Sequence, residues 1–418
     1  SVLLLTVRAG FDRLPSMGVS TYPRIYQTIL EEHLSKYRQM VFLSGPRQVG
    51  KTTVARSAST EYLNWDDASV KRMVMSGPAA VATHCGLDEL TSQVPIVVFD
   101  EIHKFGKWKS FLKSFFDLYE GKTRVIATGS AKMDVYKRGG DSMMGRYFPY
   151  RMHPFSVAEL LTTSLPGEEL IRPPKPLDDG EWNALQTYGG FPEPFVTRDS
   201  RFSRRWNKLR FDQLTQEDIR NLTKVTELDQ MAALAEILMH RSGEQLVYKN
   251  LGAEVGIDEK TAKKWVKTLR QLYFGFEVRP WYRNIENAIR KTPKWFLRDW
   301  AQIEDPGKRA ETMVACHLLK AVDCWTDLGF GEFSLGYLRN TRKEEVDFVV
   351  TRDNSPWFLV EVKKNDQKLS EALADYQRQT GAKFAFQVVL DMPYVDRSCF
   401  EINTPVVVPA RTFLSQLV

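Results

Sequence analysis

Residues 40–52 read MVFLSGPRQVGKT: an apolar run leads directly into two glycines that bracket four residues, and Lys51-Thr52 follows. This order fits the G-x-x-x-x-G-K-[ST] loop, and the next residues, 53–56, predict a helix. A strand, a glycine loop and a helix N-terminus together direct backbone N–H groups at phosphate oxygens. The stretch therefore predicts a nucleotide phosphate site at the end of a buried strand.

The loop combines backbone and side-chain contacts. We expect its backbone to curl around the phosphates, Lys51 to reach the terminal phosphates and the Thr52 hydroxyl to bind Mg²⁺. The side chains of Arg47 and Gln48 point either to the phosphates or to solvent, and the sequence leaves both open. The candidate nucleotide-binding residues are Gly45, Pro46, Arg47, Gln48, Val49, Gly50, Lys51, Thr52 and Thr53.

A second apolar run, residues 96–99, ends in Asp100-Glu101. An aspartate at the carboxyl end of a buried strand can hold Mg²⁺, and Glu101 beside it is placed to polarise an attacking water. Alone this is an ordinary acidic strand end; with the upstream loop it predicts ATP, Mg²⁺ and hydrolysis. The next predicted strand ends at residues 128–130, where Ser130 either senses the γ-phosphate or forms an ordinary turn.

These residues resemble a large prokaryotic family of AAA+-like P-loop ATPases. The matching segments are residues 45–52 (GPRQVGKT), 100–103 (DEIH), and Gly145-Arg146 with 154–160. The resemblance covers nearly the whole chain from about residue 21. It implies an ATPase that forms a hexamer-type ring or another homo-oligomer, with an arginine supplied in trans. Arg146 matches the family's Gly-Arg motif and is the catalytic candidate, with Arg138 and Arg151 as competitors.

The chain of 418 residues is long enough for two to four domains. Alternating strand and helix patterns predict a parallel α/β sheet first, and Pro, Gly and charge around 162–181 indicate an exposed connection. We expect an α/β fold with an N-terminal extension over 1–20, an AAA+-like ATPase core over 21–165, a helical lid or connector over 166–226, a winged helix over 227–285 and a PD-(D/E)xK nuclease-like domain over 286–418.

Composition excludes several classes of protein. With 43% hydrophobic and 26% charged residues, the chain is neither disordered nor collagen-like. No apolar run reaches the ~18–20 residues that a membrane crossing needs, so we expect a cytoplasmic protein without membrane contact. The net charge of +6 permits a polyanionic partner without requiring one.

Residues 251–269 have the helix, glycine turn and helix of a DNA-binding motif. The second helix turns its basic residues outward, with Trp265, Val266 and Leu269 facing the core. No Asn or Gln lies mid-helix to read bases, so we expect DNA contacts mainly to the backbone. Winged helices also serve as protein–protein spacers in ATPases of this type. The candidate DNA-binding residues are Lys260, Lys263, Lys264, Lys267 and Arg270.

The last part of the chain carries a carboxylate pattern. Glu311 lies on a predicted helix, Asp347 on a strand, and Glu361 and Lys363 at the end of the next apolar run. This arrangement resembles the PD-(D/E)xK signature of restriction-endonuclease-like domains. Asp347 and Glu361 are the expected Mg²⁺ ligands, Glu311 completes the shell and Lys363 orients water. The alternative is a domain that docks DNA or oligomerises without cleaving.

The patterns together predict an ATP-hydrolysing enzyme that binds and remodels DNA, with branched or single-stranded structures as substrates and translocation or branch migration as the action. One alternative is an ATP-regulated, Mg²⁺-dependent DNA nuclease. Another is a slow nucleotide-dependent switch that binds a protein partner. Stimulation of ATP turnover by DNA separates the motor from the switch, and loss of cleavage on Asp347→Ala with retained ATPase identifies the nuclease.

Overall fold

The computed structural model describes residues 22–91, 93–129, 143–219, 227–282, 292–340, 342 and 344–418. The expected N-terminal extension, Ser130 and Arg138 lie outside these ranges. No helix within them is long and apolar enough to cross a membrane.

Strands alternate with helices in the first unit, as the sequence predicts. The strands are Met40–Ser44 (β1), Glu61–Asn64 (β2), Ile96–Asp100 (β3), Arg124–Gly129 (β4) and Tyr147–Arg151 (β5). The helices are Ile25–Lys36 (α1), Lys51–Ala58 (α2), Ala68–Met75 (α3), Pro78–His84 (α4) and Trp108–Tyr119 (α5). The strands are parallel in the order β2-β3-β4-β1-β5, which confirms the predicted parallel α/β sheet.

The central strands of the first sheet, β1, β3 and β4, are buried on both faces. Along β1, Val41 and Leu43 join one apolar cluster with α1 and α2, while Met40 and Phe42 join a second cluster with α5. Successive strand side chains point to opposite faces, so a strand covered by helices on both sides must be apolar throughout. This burial explains the apolar runs in the sequence. Because the strands are parallel, their carboxyl ends all lie on the same side of the sheet.

Helices dominate the middle of the chain. They are Val157–Leu161 (α6), Asp179–Tyr188 (α7), Pro192–Thr197 (α8), Ser200–Gln213 (α9), Leu228–His240 (α10), Tyr248–Val255 (α11) and Glu259–Gln271 (α12). A π-helical turn, Leu214–Asp218, continues α9. The strands Gly275–Pro280 (β6) and Lys294–Leu297 (β7) follow.

The last unit is a sheet with one long helix packed against it. Its elements are Pro306–Asp327 (α13), Phe333–Arg339 (β8), Glu345–Arg352 (β9), Ser355–Lys363 (β10), Glu371–Thr380 (α14), Phe384–Val389 (β11), Val406–Pro409 (β12) and Ala410–Ser415 (α15). The strand order is β12-β11-β10-β9-β8-β6-β7.

The second sheet crosses the domain boundary expected at residues 285/286. Strands β6 and β7 pair antiparallel, with Gly275 opposite Leu297, and β6 also pairs with β8 through Arg279 and Pro280. The boundary therefore falls between the two strands of one hairpin. The hairpin that follows α12 is also the edge of the C-terminal sheet.

A buried ion cluster connects the first unit to the last. The Glu159 carboxylate lies between the Arg24 guanidinium, at 3.0 Å, and the Lys320 ammonium of α13. Arg24 also donates to the Val49 carbonyl at 2.7 Å, inside the phosphate-binding loop. Burial alone would raise the pKa of Glu159, but the two cations outweigh it and lower that pKa to about 2. The loop is thus tied to α13 through three charged side chains.

Candidate functional site

The loop between β1 and α2 depends on its glycines. Gly45 has φ +152°, and a Cβ there would lie 2.4 Å from the Met152 carbonyl oxygen. Gly50 has φ +101° and caps α2, which begins at Lys51. The first N–H groups of a helix have no partner within the helix, so the loop and the first turn of α2 present donors to an anion.

The Lys51 ammonium lies inside the loop. It donates to the carbonyls of Gly45 at 2.9 Å and Pro46 at 2.7 Å. Burial lowers the pKa of Lys51 to about 8, although Glu101 and Asp100 act in the opposite direction. The ammonium is therefore held next to the loop backbone, in the position expected for contact with phosphates.

Three hydroxyl groups converge on Asp100, at the end of β3. Thr52 Oγ1 donates to Asp100 Oδ2 at 3.0 Å, and the hydroxyls of Tyr62 and Thr128 donate to the same carboxylate. Tyr62 and Thr128 reach it because β2 and β4 flank β3 in the sheet. Burial and the bond to Asp100 raise the pKa of Tyr62. The predicted pair of Thr52 and Asp100 meets, and its two oxygen donors suit Mg²⁺.

Tyr62 and Thr128 are site residues that the sequence analysis did not select. Thr128 stands two residues before Ser130, so the run of small polar residues at the end of β4 was a usable signal. Tyr62 lies inside an apolar run and carries no motif. Its place beside Asp100 follows only from the strand order.

Glu101 follows Asp100 in a left-handed conformation, with φ +55°. Such a backbone is uncommon for residues other than glycine and is often found at functional sites. Its carboxylate lies 3.6 Å from Lys104 Nζ and 3.7 Å from His103 Nε2. Glu101 is adjacent to the Asp100 cluster, and its carboxylate pairs with basic side chains of the following turn.

Arg47 faces the middle of the chain. Its Nη2 lies 2.5 Å from Asp218 Oδ1, and its Nη1 lies 3.8 Å from Glu217 Oε2. Both acids belong to the π-helical turn, a geometry that often marks functional positions. Burial raises the pKa of Asp218 to about 6. The sequence left open whether Arg47 and Gln48 point to the phosphates or to solvent. Arg47 points instead to Asp218, whereas Gln48 is exposed to solvent.

The two described finger candidates differ in their surroundings. Arg146 makes a two-pronged contact with Asp117, at 2.7 and 3.0 Å, just before β5. Arg146 immediately precedes β5, whereas the phosphate-binding loop follows the end of β1. Since β5 runs parallel to β1, the two lie at opposite ends of these strands. Arg151 pairs with Asp323 and Asp327 of α13 within the same chain. That ion pairing joins β5 to α13, and the candidacy of Arg151 as a finger stays a prediction.

The basic helix α12 forms as expected. The Asp258 side chain accepts hydrogen bonds from the backbone N–H groups of Lys260 and Thr261, which caps the helix. Trp265, Val266 and Leu269 are buried, as expected. The lysines of the outward face, all exposed, are Lys260, Lys263, Lys264 and Lys267.

Arg270, the fifth expected DNA contact, differs from these lysines. It donates to Glu277 Oε2 at 2.9 Å. Its charge is therefore compensated by the first strand of the hairpin.

The expected C-terminal site contains a cation that the sequence analysis missed. Lys294 Nζ lies 3.1 Å from Glu311 Oε1 and 3.7 Å from Asp347 Oδ1, and it also pairs with Glu345. Among the described residues, no group of three or more His, Cys, Asp or Glu side chains is arranged to hold a metal ion. Lys294 thus contacts Glu311 and Asp347, two of the three carboxylates expected to bind Mg²⁺.

The remaining expected residues lie beside this cluster. Lys363 Nζ donates to Glu361 Oε1 at 2.7 Å, and Asp347 Oδ2 accepts from the Val362 N–H at 2.8 Å. Burial, reinforced by neighbouring carboxylates, raises the pKa of Glu311 and Glu361. The pKa of Lys294 is also raised, since the surrounding carboxylates outweigh its burial. The cluster holds more acids than its two lysines can neutralise.

Three segments of the chain match known families. Residues 37–161 match an AAA domain, residues 180–302 match a domain of unknown function (DUF8612), and residues 306–402 match another (DUF4143). With the loop geometry, the first match supports an AAA-type P-loop ATPase domain over residues 37–161. Lys294 lies in the second matched region, and its carboxylate partners lie in the third.

Two mycobacterial relatives are similar to the chain. They are the uncharacterized proteins Mb2031c of Mycobacterium bovis and Rv2008c of Mycobacterium tuberculosis, each 22% identical over 263 residues. The match takes in 62% of this chain and 54% of each relative. The chain therefore spans about half the length of the curated relatives it matches.

Two solved structures show weak similarity. AMPPCP-bound DnaA from Aquifex aeolicus is 11% identical, with a TM-score of 0.28 over 59% of this chain and 87% of that one. The STAND protein PH0952 from Pyrococcus horikoshii, which carries a tetratricopeptide repeat sensor, is 12% identical, with a TM-score of 0.24 over 72% and 46%. Both TM-scores are below 0.5, too low to establish a shared fold.

Proposed function

We propose that this chain hydrolyses ATP and uses the turnover to bind and remodel DNA. The observation that carries the ATPase part is the convergence of Thr52 and Asp100, 3.0 Å apart, beside a loop that holds Lys51. These are the groups that a P-loop ATPase needs to bind the phosphates and the metal ion. The AAA-domain match covers this whole region.

Each group at the site has a role in the proposed reaction. Lys51 and the loop N–H groups bind the phosphates, and Thr52 and Asp100 would hold Mg²⁺, which neutralises phosphate charge when bound. Glu101 polarises the attacking water once its carboxylate turns from Lys104 toward the site. Thr128 and Tyr62 fix the orientation of the Asp100 carboxylate through their hydroxyls.

The DNA part of the proposal is supported by α12. Its exposed lysines lie on one face of a capped helix whose opposite face is buried, so the positive surface is fixed in place. Without base-reading side chains on this face, contacts to the phosphate backbone are the expected mode. The substrate class proposed is branched or single-stranded DNA.

Oligomerisation is the last element of the proposal. Arg146 lies at the opposite end of β1 and β5 from the loop of its own chain, which supports a role on a neighbouring chain rather than its own. We propose that it leaves Asp117 and supplies the trans arginine of a ring oligomer. This proposal requires a homo-oligomer with one shared site per interface.

ATP turnover, measured with and without a panel of junction, fork, single-stranded and duplex DNA, tests the function. Lys51→Ala serves as the blank, and Lys263→Ala/Lys267→Ala tests the role of α12. We expect one DNA structure to stimulate wild-type turnover at least tenfold, and the paired lysine variant to lose most of that stimulation while keeping its basal rate. Turnover that ignores every DNA would refute the DNA part and leave the ATPase part intact.

A slow nucleotide-dependent switch with a protein partner is the second candidate. The ion pair between Arg47 and Asp218 favours it, because it links the phosphate-binding loop directly to the middle helices. A switch should turn over ATP slowly and change its middle helices on binding nucleotide. DNA-independent turnover below about one per minute, with altered protease sensitivity near residue 218 on adding ATP, would support the switch over the motor.

A further inference from the structure

Lys294 occupies the centre of the C-terminal carboxylate cluster. The residue is 4% exposed, and its ammonium contacts acids from the helix α13 and the strand β9. A buried lysine stays charged only when carboxylates compensate it. We propose that Lys294 is the resident cation of this cluster and takes the place of a divalent metal, so that a metal can bind there only after the lysine is displaced.

The carboxylates themselves have the chemistry of a divalent cation site. Glu311, Glu345 and Asp347 each contact the Lys294 ammonium, from two elements, and carboxylate oxygens are the ligands that Mg²⁺ and Mn²⁺ prefer. Glu361 Oε2 is buried beside them and accepts no hydrogen bond from the described residues. An oxygen left unsatisfied in such a position costs free energy, which a cation would recover.

Two other carboxylate oxygen atoms of the cluster already accept hydrogen bonds from the protein. Asp347 Oδ2 accepts the Val362 N–H, and Glu361 Oε1 accepts from Lys363. A metal would have to compete with the Lys294 ammonium for Glu311 Oε1 and Asp347 Oδ1 together. A metal bound to these two oxygens takes the acceptors of the ammonium, and the two positive charges repel, so the metal must displace the ammonium from them.

The lysine is held firmly, because its backbone is paired on both sides. Lys294 lies opposite Val278 in the β6–β7 hairpin and bridges to Gln245 on its other side. The flanking Trp295 N–H donates to the Glu244 carbonyl at 2.9 Å. The backbone of Lys294 is therefore fixed, and displacing the ammonium requires a rotamer change of a side chain that is only 6% exposed. As built, the cluster is closed to the metal chemistry of a nuclease.

Mn²⁺ binding to the full-length, nucleotide-free chain, counted by electron paramagnetic resonance, tests this inference. Four forms are compared: wild type, Asp347→Asn, Lys294→Met and Lys294→Met/Asp347→Asn. We expect wild type and Asp347→Asn to bind equal numbers of Mn²⁺, Lys294→Met to bind one more per chain, and the double variant to lose that extra ion.

Two results would overturn the inference. One is a wild-type chain that already binds one more Mn²⁺ than Asp347→Asn. The other is a Lys294→Met variant with native circular dichroism that gains no ion. If Lys294→Met does not fold in the absence of metal, its refolding with Mn²⁺ is measured instead, and failure of Mn²⁺ to restore the fold counts against the proposal. The comparison of Mn²⁺ counts between wild type and Asp347→Asn tests the inference without the Lys294→Met variant.

Discussion

The Arg47 guanidinium, within the phosphate-binding loop, lies 2.5 Å from the Asp218 carboxylate at the end of the π-helical turn. Phosphate oxygens and carboxylate oxygens are alternative acceptors for the same guanidinium. We therefore expect a nucleotide in the loop to compete with the middle helices for Arg47. Such competition would couple phosphate binding to the position of the π-helical turn.

Removing the charge of Asp218 should strengthen nucleotide binding. In Asp218→Asn the guanidinium loses its carboxylate partner and becomes available to phosphate, and we expect the affinity for a non-hydrolysable ATP analogue to rise about fivefold or more. Isothermal titration calorimetry measures this change. Glu217→Gln is the matched control, since that carboxylate lies farther from Arg47, at 3.8 Å. Equal affinities for wild type and Asp218→Asn would show that the pair does not oppose the nucleotide.

Nucleotide affinity should fall as pH rises above about 8. The pKa of Lys51 in the empty loop is lowered to about 8, while phosphates favour the protonated ammonium. Below pH 8 the lysine is already charged; above it, binding must take up a proton, and affinity declines by up to about tenfold per pH unit. Calorimetric Kd values between pH 7 and 9.5 measure the slope. The weaker Lys51→Met should show a flat profile, and an equal slope in that variant would assign the titration to another group.

Glu159→Gln should destabilise the protein strongly. It leaves Arg24 and Lys320 buried without a compensating anion, a change that costs about 3–5 kcal/mol. Urea unfolding at pH 7 measures the loss, with the partly exposed Glu32→Gln as a control that should change stability by less than about 0.5 kcal/mol. Since the folded-state pKa of Glu159 is depressed to about 2, its contribution is present above its ordinary value of 4.5 and disappears as pH falls toward 2. A loss below 1 kcal/mol would argue that water reaches the cluster.

The lysines of α12 should set the salt dependence of DNA binding. In Lys263→Ala/Lys267→Ala the slope of log K against log salt should become less negative by about 1.8, because each lost phosphate contact contributes about 0.9. Fluorescence anisotropy with a fork substrate between 50 and 300 mM salt measures it. The control is Lys36→Ala/Lys107→Ala, which removes two positive charges from the first unit instead of from α12. An equal slope change in that control would mean that α12 contributes only general charge.

The nucleotide site was largely predictable because its chemistry is local in sequence. A loop, its lysine and Thr52 follow one strand, and the end of another apolar run marks Asp100. The outward lysines of α12 were predictable for the same reason, since one helical period places them all on one face. Local spacing fixes such groups before any long-range contact forms.

The contacts that sequence reasoning missed depend on which strands are neighbours. Tyr62 reaches Asp100 only because β2 lies beside β3, and Lys294 reaches Asp347 only because the hairpin joins the C-terminal sheet. A lysine at the start of a short strand looks like any exposed polar residue. Arg47 illustrates the same limit, because its partner Asp218 is distant in the chain and carries no motif.

The shared hairpin also determines an order of events during biosynthesis. Strands β6 and β7 leave the ribosome before β8 and β9, so the edge of β6 that later pairs with β8 is first made without a partner. An unpaired strand edge invites association with other nascent chains. Until Glu345 and Asp347 have been synthesised, Lys294 also lacks two of its three anions and must remain hydrated. Emergence of residue 347 from the ribosome is thus the step after which the second and third matched regions can close on each other.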